Sequence, residues 1–385
     1  MNDMPYDAKP VGGKILSWQF LVLLIIALIG LTFIAKRFVL GIGAVANMND
    51  GYPFGIWIAI DVVVGTALAC GGYSMALLVY VANRGQYHPL VRPALMTSVF
   101  GYTLAGVSVV FDIGRYWQMY NIFLPKFFNF NSVMLEVGLC VAIYTLVLWI
   151  EFSPAFLEKR SQDKAAKWLN KVLFFFIALG VLLPTMHQSS LGSLMIIAGY
   201  KLSPLWQTQF LPLLFLLSAI TMGYGIVVLE GIFAATGFNR PSEMKILNKV
   251  TRVMNWTLIA FLVVRFSDLL YRGALPLAFA GDTEATMFMI ENLFFIIALI
   301  LLFAPRCRGK GSCQCMAAFF LLSGAALFRF NTYIIGYNPG TGFHYFPSVT
   351  EIMITLGVIS IELMAYIVFV KKLPVLPAHT GAEAQ

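Results

Sequence analysis

Ten apolar runs, each near the roughly 20 residues that a helix needs to cross a bilayer, divide the chain. The first five cover Trp18–Ala35, Phe54–Asn83, Val91–Asp112, Asn131–Phe152 and Lys171–Met186. The second five cover Phe210–Ala235, Val253–Tyr271, Thr286–Phe303, Met316–Ile335 and Thr350–Val370. This pattern predicts an all-α integral membrane protein with about ten transmembrane helices, in one membrane domain over residues 1–385. The first run exceeds a signal h-region and no small-x-small cleavage site follows it, so it is expected to stay as the first helix.

The polar stretches between the runs alternate in kind. Eighteen of the 26 basic residues fall in the N-terminus, the C-terminus and the loops after runs 2, 4, 6 and 8. The opposite loops hold only Lys36, Arg37, Arg115, Lys126, Lys201 and Arg272. The positive-inside rule therefore predicts that both termini are cytoplasmic. The opposite loops are long, aromatic and rich in Pro and Gly, as in residues 41–53, 116–130 and 337–347. Aromatics on irregular backbone predict a docking surface; an aromatic belt at headgroup level is the plainer reading.

A weak internal repeat is expected. FDIGRYW carries Asp112 and Arg115, and FSDLLYRG carries Asp268 and Arg272. MLE at Glu136 and MIE at Glu291 repeat at the same offset of about 155 residues. The spacing fits two four-helix bundles at 54–186 and 210–335, flanked by helices at 18–35 and 350–370 and a cytoplasmic tail at 371–385.

Composition narrows the function classes. The chain is 59% hydrophobic and 11% charged, with mean hydropathy +0.82, where soluble domains carry about 25% charge. Its net charge of +8 reads as attraction to membrane lipid, and no basic stripe with interleaved aromatics points to nucleic acid. Five scattered cysteines predict reduced thiols, neither a disulfide framework nor a four-cysteine iron–sulfur set. No phosphate loop, zinc-type histidine pair or nucleophile elbow occurs at an interpretable place, so no metal site is expected. The glycines at 71–72 and at 223 and 225 read as close helix packing.

Ionisable groups within apolar runs are costly and are functional candidates. At about 1.5 Å per residue, Asp61 and Glu136 fall in the outer third, Glu362 at mid-membrane and Glu230 in the inner third. These four are the proton-transfer candidates; no catalytic residue is firmer. In LLPTMHQSSLGSLM, an apolar run reaches Pro184 and then presents His187, Gln188 and Ser189 at its expected outer rim. Asp112 and Arg115 end another run at the same expected level, beside Tyr116 and Trp117. An aromatic wall with a carboxylate, an imidazole and a guanidinium suits a quinone, whose carbonyls need hydrogen bonds and protons. In the second half, Asp268 is read as a structural partner of Arg265, Arg272 or Arg329. A bis-histidine haem needs two facing imidazoles at membrane depth. His88 and His344 lie in loops and His379 in the tail. On this count no haem is expected.

NRGQYHPLVRPAL (83–95), FDIGRYW (111–117), NSVMLE (131–136), LLPTMHQSSLGSLM (182–195), FAGD (279–282) and YNPGTGFHYFP (337–347) together resemble the NrfD/polysulfide-reductase membrane family, in its hydrogenase-associated type. The resemblance covers nearly the whole chain and is specific in the loops. It implies ten helices in a bacterial inner membrane, without a cofactor of their own, and a menaquinone site near the periplasmic face. It also implies a ferredoxin-like iron–sulfur subunit, relaying electrons from the small and large subunits of a nickel–iron hydrogenase. The expected role is thus the quinone-binding subunit of a hydrogen:quinone oxidoreductase complex. The chain itself would carry no hydrogen chemistry. Service to another periplasmic oxidoreductase, a polysulfide or nitrite reductase, is the alternative. A secondary transporter would gather its polar groups at the midplane, and a bare anchor would leave the membrane carboxylates unexplained.

Overall fold

The computed structural model describes residues 8–160, 163–240, 243–307 and 309–377. Among them the chain is helical throughout, with no strand beyond two isolated bridges. Ten helices are long and apolar enough to cross a membrane: α1 (Trp18–Leu40), α2 (Trp57–Val81), α3 (Gly85–Asp112), α4 (Val133–Lys159), α5 (Lys171–Ile196), α6 (Leu211–Gly237), α7 (Met244–Tyr271), α8 (Thr283–Phe303), α9 (Gly311–Ile335) and α10 (Val349–Lys372). The all-α class and the ten expected spans are therefore present. Because the helices alternate in direction, one end of the bundle gathers the basic loops and the other the aromatic loops.

The largest departure from the expected boundaries is in α5. Helical geometry continues through Pro184 to Ile196. An interior proline removes one backbone donor, and within a membrane neighbouring side chains re-satisfy the freed groups. Pro184 leaves the Gly180 carbonyl without its helical donor; beside it the Thr185 hydroxyl donates to the Val181 carbonyl at 2.7 Å, and His187 Nδ1 stands 3.1 Å from the Leu183 carbonyl. His187 therefore lies nine residues, about 13 Å, below the end of α5 and not at its rim.

α2 is irregular at both ends and at its middle. Residues 57–64 and 77–81 are π-helical, and the helix breaks at Ala69–Cys70. Wider turns present carbonyls sideways, a feature frequent at functional sites. Arg329 of α9, fully buried, uses one of them. It donates to the carbonyls of Val63 (2.8 Å) and Phe215 (2.5 Å) and to the Ser218 hydroxyl (3.2 Å).

α2 packs on α3, α5 and α6, and α3 on α4, with α4 on α5. α6 packs on α7 and α9, and α8 on α9, so α6 joins the α2–α5 group to the α6–α9 group. α2 and α6 meet closely because of Gly223, where a Cβ would stand 2.5 Å from the Cys70 carbonyl oxygen. α1 packs on α10 through Gly30 and Gly357, whose Cα atoms approach so closely that a Cβ on either would stand 2.8 Å from the other. α10 in turn packs on α3 and α2, so it belongs to the wall of the first group.

Two further expectations are corrected. Cys307 and Cys313 form a disulfide, because the short connection from α8 to α9 sets their Cα atoms 5.2 Å apart, within the range a bridge spans. Cys70, Cys140 and Cys315 are free thiols. Of the expected tail, residues 371–377 lie against residues 9–12 through backbone bonds such as Gly12 N–H to the Lys371 carbonyl at 3.1 Å and Lys9 N–H to the Leu376 carbonyl at 3.2 Å. Residues 378–385, with His379, lie outside the described residues.

Candidate functional site

The deepest polar cluster of the first group is built on α5. His187 and Gln188 are both fully buried. The Leu183 carbonyl only accepts, so Nδ1 of His187 carries the proton there and Nε2 is an acceptor. Nε2 receives the Tyr102 hydroxyl at 3.0 Å and the Gln188 amide at 3.0 Å. The Gln188 amide also donates to Thr66 Oγ1 at 3.0 Å, while its Oε1 is buried without a partner. The Tyr102 hydroxyl lies 3.4 Å from Cys70 Sγ. The Tyr144 ring closes the cluster, 4.6 Å from Tyr102 and 6.4 Å from His187 between centroids. One turn further along α5, Ser190 donates to the Glu136 carboxylate at 2.8 Å.

The expected convergence of Asp112 and Arg115 with His187 does not occur. Ten residues separate Asp112 from Tyr102 along α3, or about 15 Å, which sets Asp112 at the rim and His187 deep. Asp112 instead sits near Arg37 of α1, the guanidinium that donates to the carbonyls of Phe111 (2.8 Å) and Ile113 (2.5 Å). Arg37 also stands over the Tyr116 ring at 5.1 Å. Arg115 and Trp117 are exposed. Ser189 bonds only its own helix, to the carbonyls of Thr185 and Met186.

An apolar cavity of about 540 Å³ lies on the other side of Tyr102's helix, at the aromatic end. Its walls are α3 from Thr103 to Val109, the short helix at 116–123, and α4 from Val137 to Thr145. Arg115, Gln118 and Asn121 stand at its rim, and Asn121 Oδ1 is buried without a partner. The volume falls in the range of small-molecule sites. Glu136 immediately precedes the lining residues Val137 and Gly138.

The other proton-transfer candidates lie along α10. The Glu230 carboxylate accepts from the hydroxyls of Tyr366 (2.8 Å) and Thr97 (3.0 Å), and it borders a small cavity at the basic end. Glu362 is one turn from Tyr366 on α10 and feels the charge of Asp61. Asp61 accepts weakly from Thr355 at 3.4 Å. Glu230, Glu362 and Asp61 therefore form a stepped series between the two ends of the bundle, while Glu136 stands apart beside α5.

Sequence reasoning passed over Tyr102, which carries no signal within its apolar run. It also passed over Glu151, which the criterion applied to Glu136 selects equally well. Glu151 Oε1 is buried without a partner, and the residue lines a cavity of about 100 Å³ at the basic end with Tyr80 and His88.

In the second group, Glu291 is fully buried and receives Arg265, the Trp206 indole (3.2 Å) and the Asn331 amide (2.9 Å). Asp268 pairs with Arg272 at 2.7 Å, which selects one of the three expected partners. Arg329 has no carboxylate partner among the described residues.

At the aromatic end, Glu351 ties two loops together. It accepts from the backbone N–H of Asn47 (3.0 Å) and Ser348 (2.7 Å) and from the Tyr345 hydroxyl (2.7 Å). Burial and that carboxylate raise Tyr345 above its ordinary value and keep it a donor. Trp117, Tyr120, Phe123, Phe130, Tyr200 and Phe346 are exposed around these loops.

The profile of the polysulphide reductase NrfD family matches residues 44–339. The chain is 46% identical over 377 residues to the probable Ni/Fe-hydrogenase 2 b-type cytochrome subunit of Escherichia coli (strain K12), covering 97% of this chain and 96% of that one. It is 29% identical over 251 residues to the integral membrane subunit of a menaquinone reductase of Nitratidesulfovibrio vulgaris, covering 59% and 56%. It is 22% identical over 406 residues to a subunit of the selenate reductase of Mesobacillus selenatarsenatis, covering 92% and 93%.

The Escherichia coli protein's name points to haem and overturns the expectation, drawn from the histidine count, that none is present. The described histidines assemble no axial pair. His88 is at the basic end of α3 and His344 in an aromatic loop, and both ring nitrogens of His187 are engaged by protein atoms. No step below is routed through haem. Ten apolar helices, a matching profile over most of the chain and relatives along its full length give one conclusion: this multi-pass membrane protein belongs to the polysulphide reductase NrfD family.

Proposed function

We propose that this chain is the quinone-reducing membrane subunit of a hydrogen-oxidising complex in the bacterial inner membrane. The cavity of about 540 Å³ carries the reading. It offers an apolar slot for a naphthoquinone ring and isoprenoid tail, with amide and guanidinium groups at its rim for the carbonyls. Menaquinone takes up two electrons and two protons to become menaquinol. Electrons enter at the aromatic end, where exposed aromatic rings on tied loops suit a docked ferredoxin-like iron–sulfur subunit, itself fed by the small and large subunits of a nickel–iron hydrogenase. The names of the relatives, a hydrogenase subunit and a menaquinone reductase subunit, support both halves of this reading. The basic loops support a cytoplasmic position for the opposite end and both termini.

Protons reach the cavity wall through groups that lack a cationic partner. His187 Nε2 and the Tyr102 hydroxyl are hydrogen-bonded to each other, and Glu136 and Ser190 are one turn away. Glu230, Glu362 and Asp61 supply a route from the basic end. His187, Gln188, Tyr102 and Glu136 act behind the cavity, while Arg115, Tyr116, Trp117 and Asp112 shape its entrance. Ser189 sits on the same turn of α5 and holds its backbone.

The test is to fill the cavity. A Cβ on Gly106 would meet nothing within 4 Å, so Gly106→Phe adds a ring without a clash at its root. Hydrogen-dependent menaquinone reduction by the complex should fall at least tenfold, while hydrogen oxidation with a soluble viologen dye stays at the wild-type rate. Unchanged quinone kinetics in that variant would overturn the site.

A further inference from the structure

A second large cavity, of about 470 Å³, opens at the basic end of the α6–α9 group. It lies between α7, the end of α8 and the start of α9, far from the aromatic end where quinone and electrons are placed. Its floor is apolar, formed by Leu301, Leu302 and Phe303, and Trp256 stands exposed at its edge. Its upper wall is polar. The Cys307–Cys313 bridge fixes the loop that closes it, directly before the first turn of α9.

We infer that this cavity holds one anionic glycerophospholipid of the facing leaflet, and the polar groups select phosphatidylglycerol. α9 begins without a side-chain cap at Lys310, so its first N–H groups carry no side-chain acceptor, between the cavity-lining Gly309 and Cys313. Uncapped N–H groups at the positive end of a 20-residue helix suit a phosphate. Arg252 reaches the same rim, exposed and in no ion pair among the described residues. Independently, Gln314 is only 5% exposed and its Oε1, on the cavity wall, is buried without a donor. Its amide nitrogen is already committed to Asn248 Oδ1, which fixes the orientation of the group. A buried amide oxygen needs a donor. The glycerol hydroxyls of phosphatidylglycerol provide one beside the phosphate, whereas phosphatidylcholine has none. The acyl chains then lie on the apolar floor, and Trp256 marks the interface depth.

The experiment uses the full chain in its purified complex. Native mass spectrometry and thermal unfolding are followed while phosphatidylglycerol, phosphatidylcholine or inorganic phosphate is added. One phosphatidylglycerol should be retained and raise the unfolding temperature; the other two should do neither. Arg252→Gln, at an exposed position, should weaken retention about fivefold, the equivalent of roughly 1 kcal/mol per basic residue at a lipid surface. Gln314→Met should erase the preference for phosphatidylglycerol over phosphatidylcholine. Equal retention of the two lipids by the wild type overturns the inference, as does wild-type retention in Arg252→Gln. Equal protection by inorganic phosphate would make this a free-anion site and overturn the lipid assignment.

Discussion

Both helix groups hold a carboxylate near the aromatic end, Glu291 fully buried and Glu136 half-buried, and they treat it in opposite ways. Glu291 in the α6–α9 group is held by Arg265, an indole and an amide. Its charge is matched on the spot, and the pair fastens α7 to α8. Glu136 in the α2–α5 group has only the Ser190 hydroxyl, and Glu230, across the bundle, has only two hydroxyls. A hydroxyl donates to a carboxylate and accepts from a carboxylic acid equally well. Groups of this kind change protonation without losing their hydrogen bonds, whereas an ion pair cannot. The Glu291 pair therefore reads as scaffold, and Glu136 of α4 and Glu230 of α6 as the working carboxylates.

The sharpest way to break this contrast is to neutralise each carboxylate in turn. Glu136→Gln should lower hydrogen-dependent menaquinone reduction by about 10²–10⁴-fold, the usual cost of losing a positioned acid or base. Its unfolding temperature should stay near that of the wild type. Kinetic assay beside thermal unfolding separates the two, and a folded variant with wild-type turnover would erase the distinction.

Arg265→Met probes the other half. Stranding Glu291 as an unpaired buried charge should cost about 3–5 kcal/mol and show as a large loss of thermal stability. Adding Glu291→Leu should recover most of it, because a matched apolar pair replaces the ion pair. If the single variant is as stable as the wild type, the pair does not fasten the bundle.

These expectations reflect what a sequence displays. Apolar length alone located the ten spans, because a bilayer demands it. The end of α5 was hidden, because Pro184 reads as a helix stop while the helix runs on to Ile196, packed on α4 and α6. That error lifted His187 to the rim and gave it the wrong neighbours. The charged neighbour of Asp112 was equally hidden, since Arg37 comes from another helix 75 positions earlier. Tyr102 was invisible, because a tyrosine in an apolar run reads as core. Glu136 and Glu230 were legible by cost: a carboxylate inside a membrane span asks for a reason.

A smaller effect should follow from Tyr102→Phe. It removes the hydroxyl that His187 Nε2 accepts and keeps the ring that packs on Tyr144. A neutral hydrogen bond contributes about 0.5–1.5 kcal/mol, so quinone reduction should fall about three- to tenfold. A loss as large as that of Glu136→Gln would make Tyr102 itself a proton donor.

Protons are proposed to pass from the basic end to the quinone through Glu230 of α6, Glu362 of α10 and Asp61 of α2. Each charge moved against 100 mV stores roughly 2.3 kcal/mol. The complex is reconstituted in liposomes with menaquinone and a potential-sensitive dye, and hydrogen is added. The wild type should build a potential, and Glu230→Gln should build much less while its viologen-linked hydrogen oxidation is unchanged. A Glu230→Gln complex that charges the membrane as fast and as far as the wild type would contradict the account.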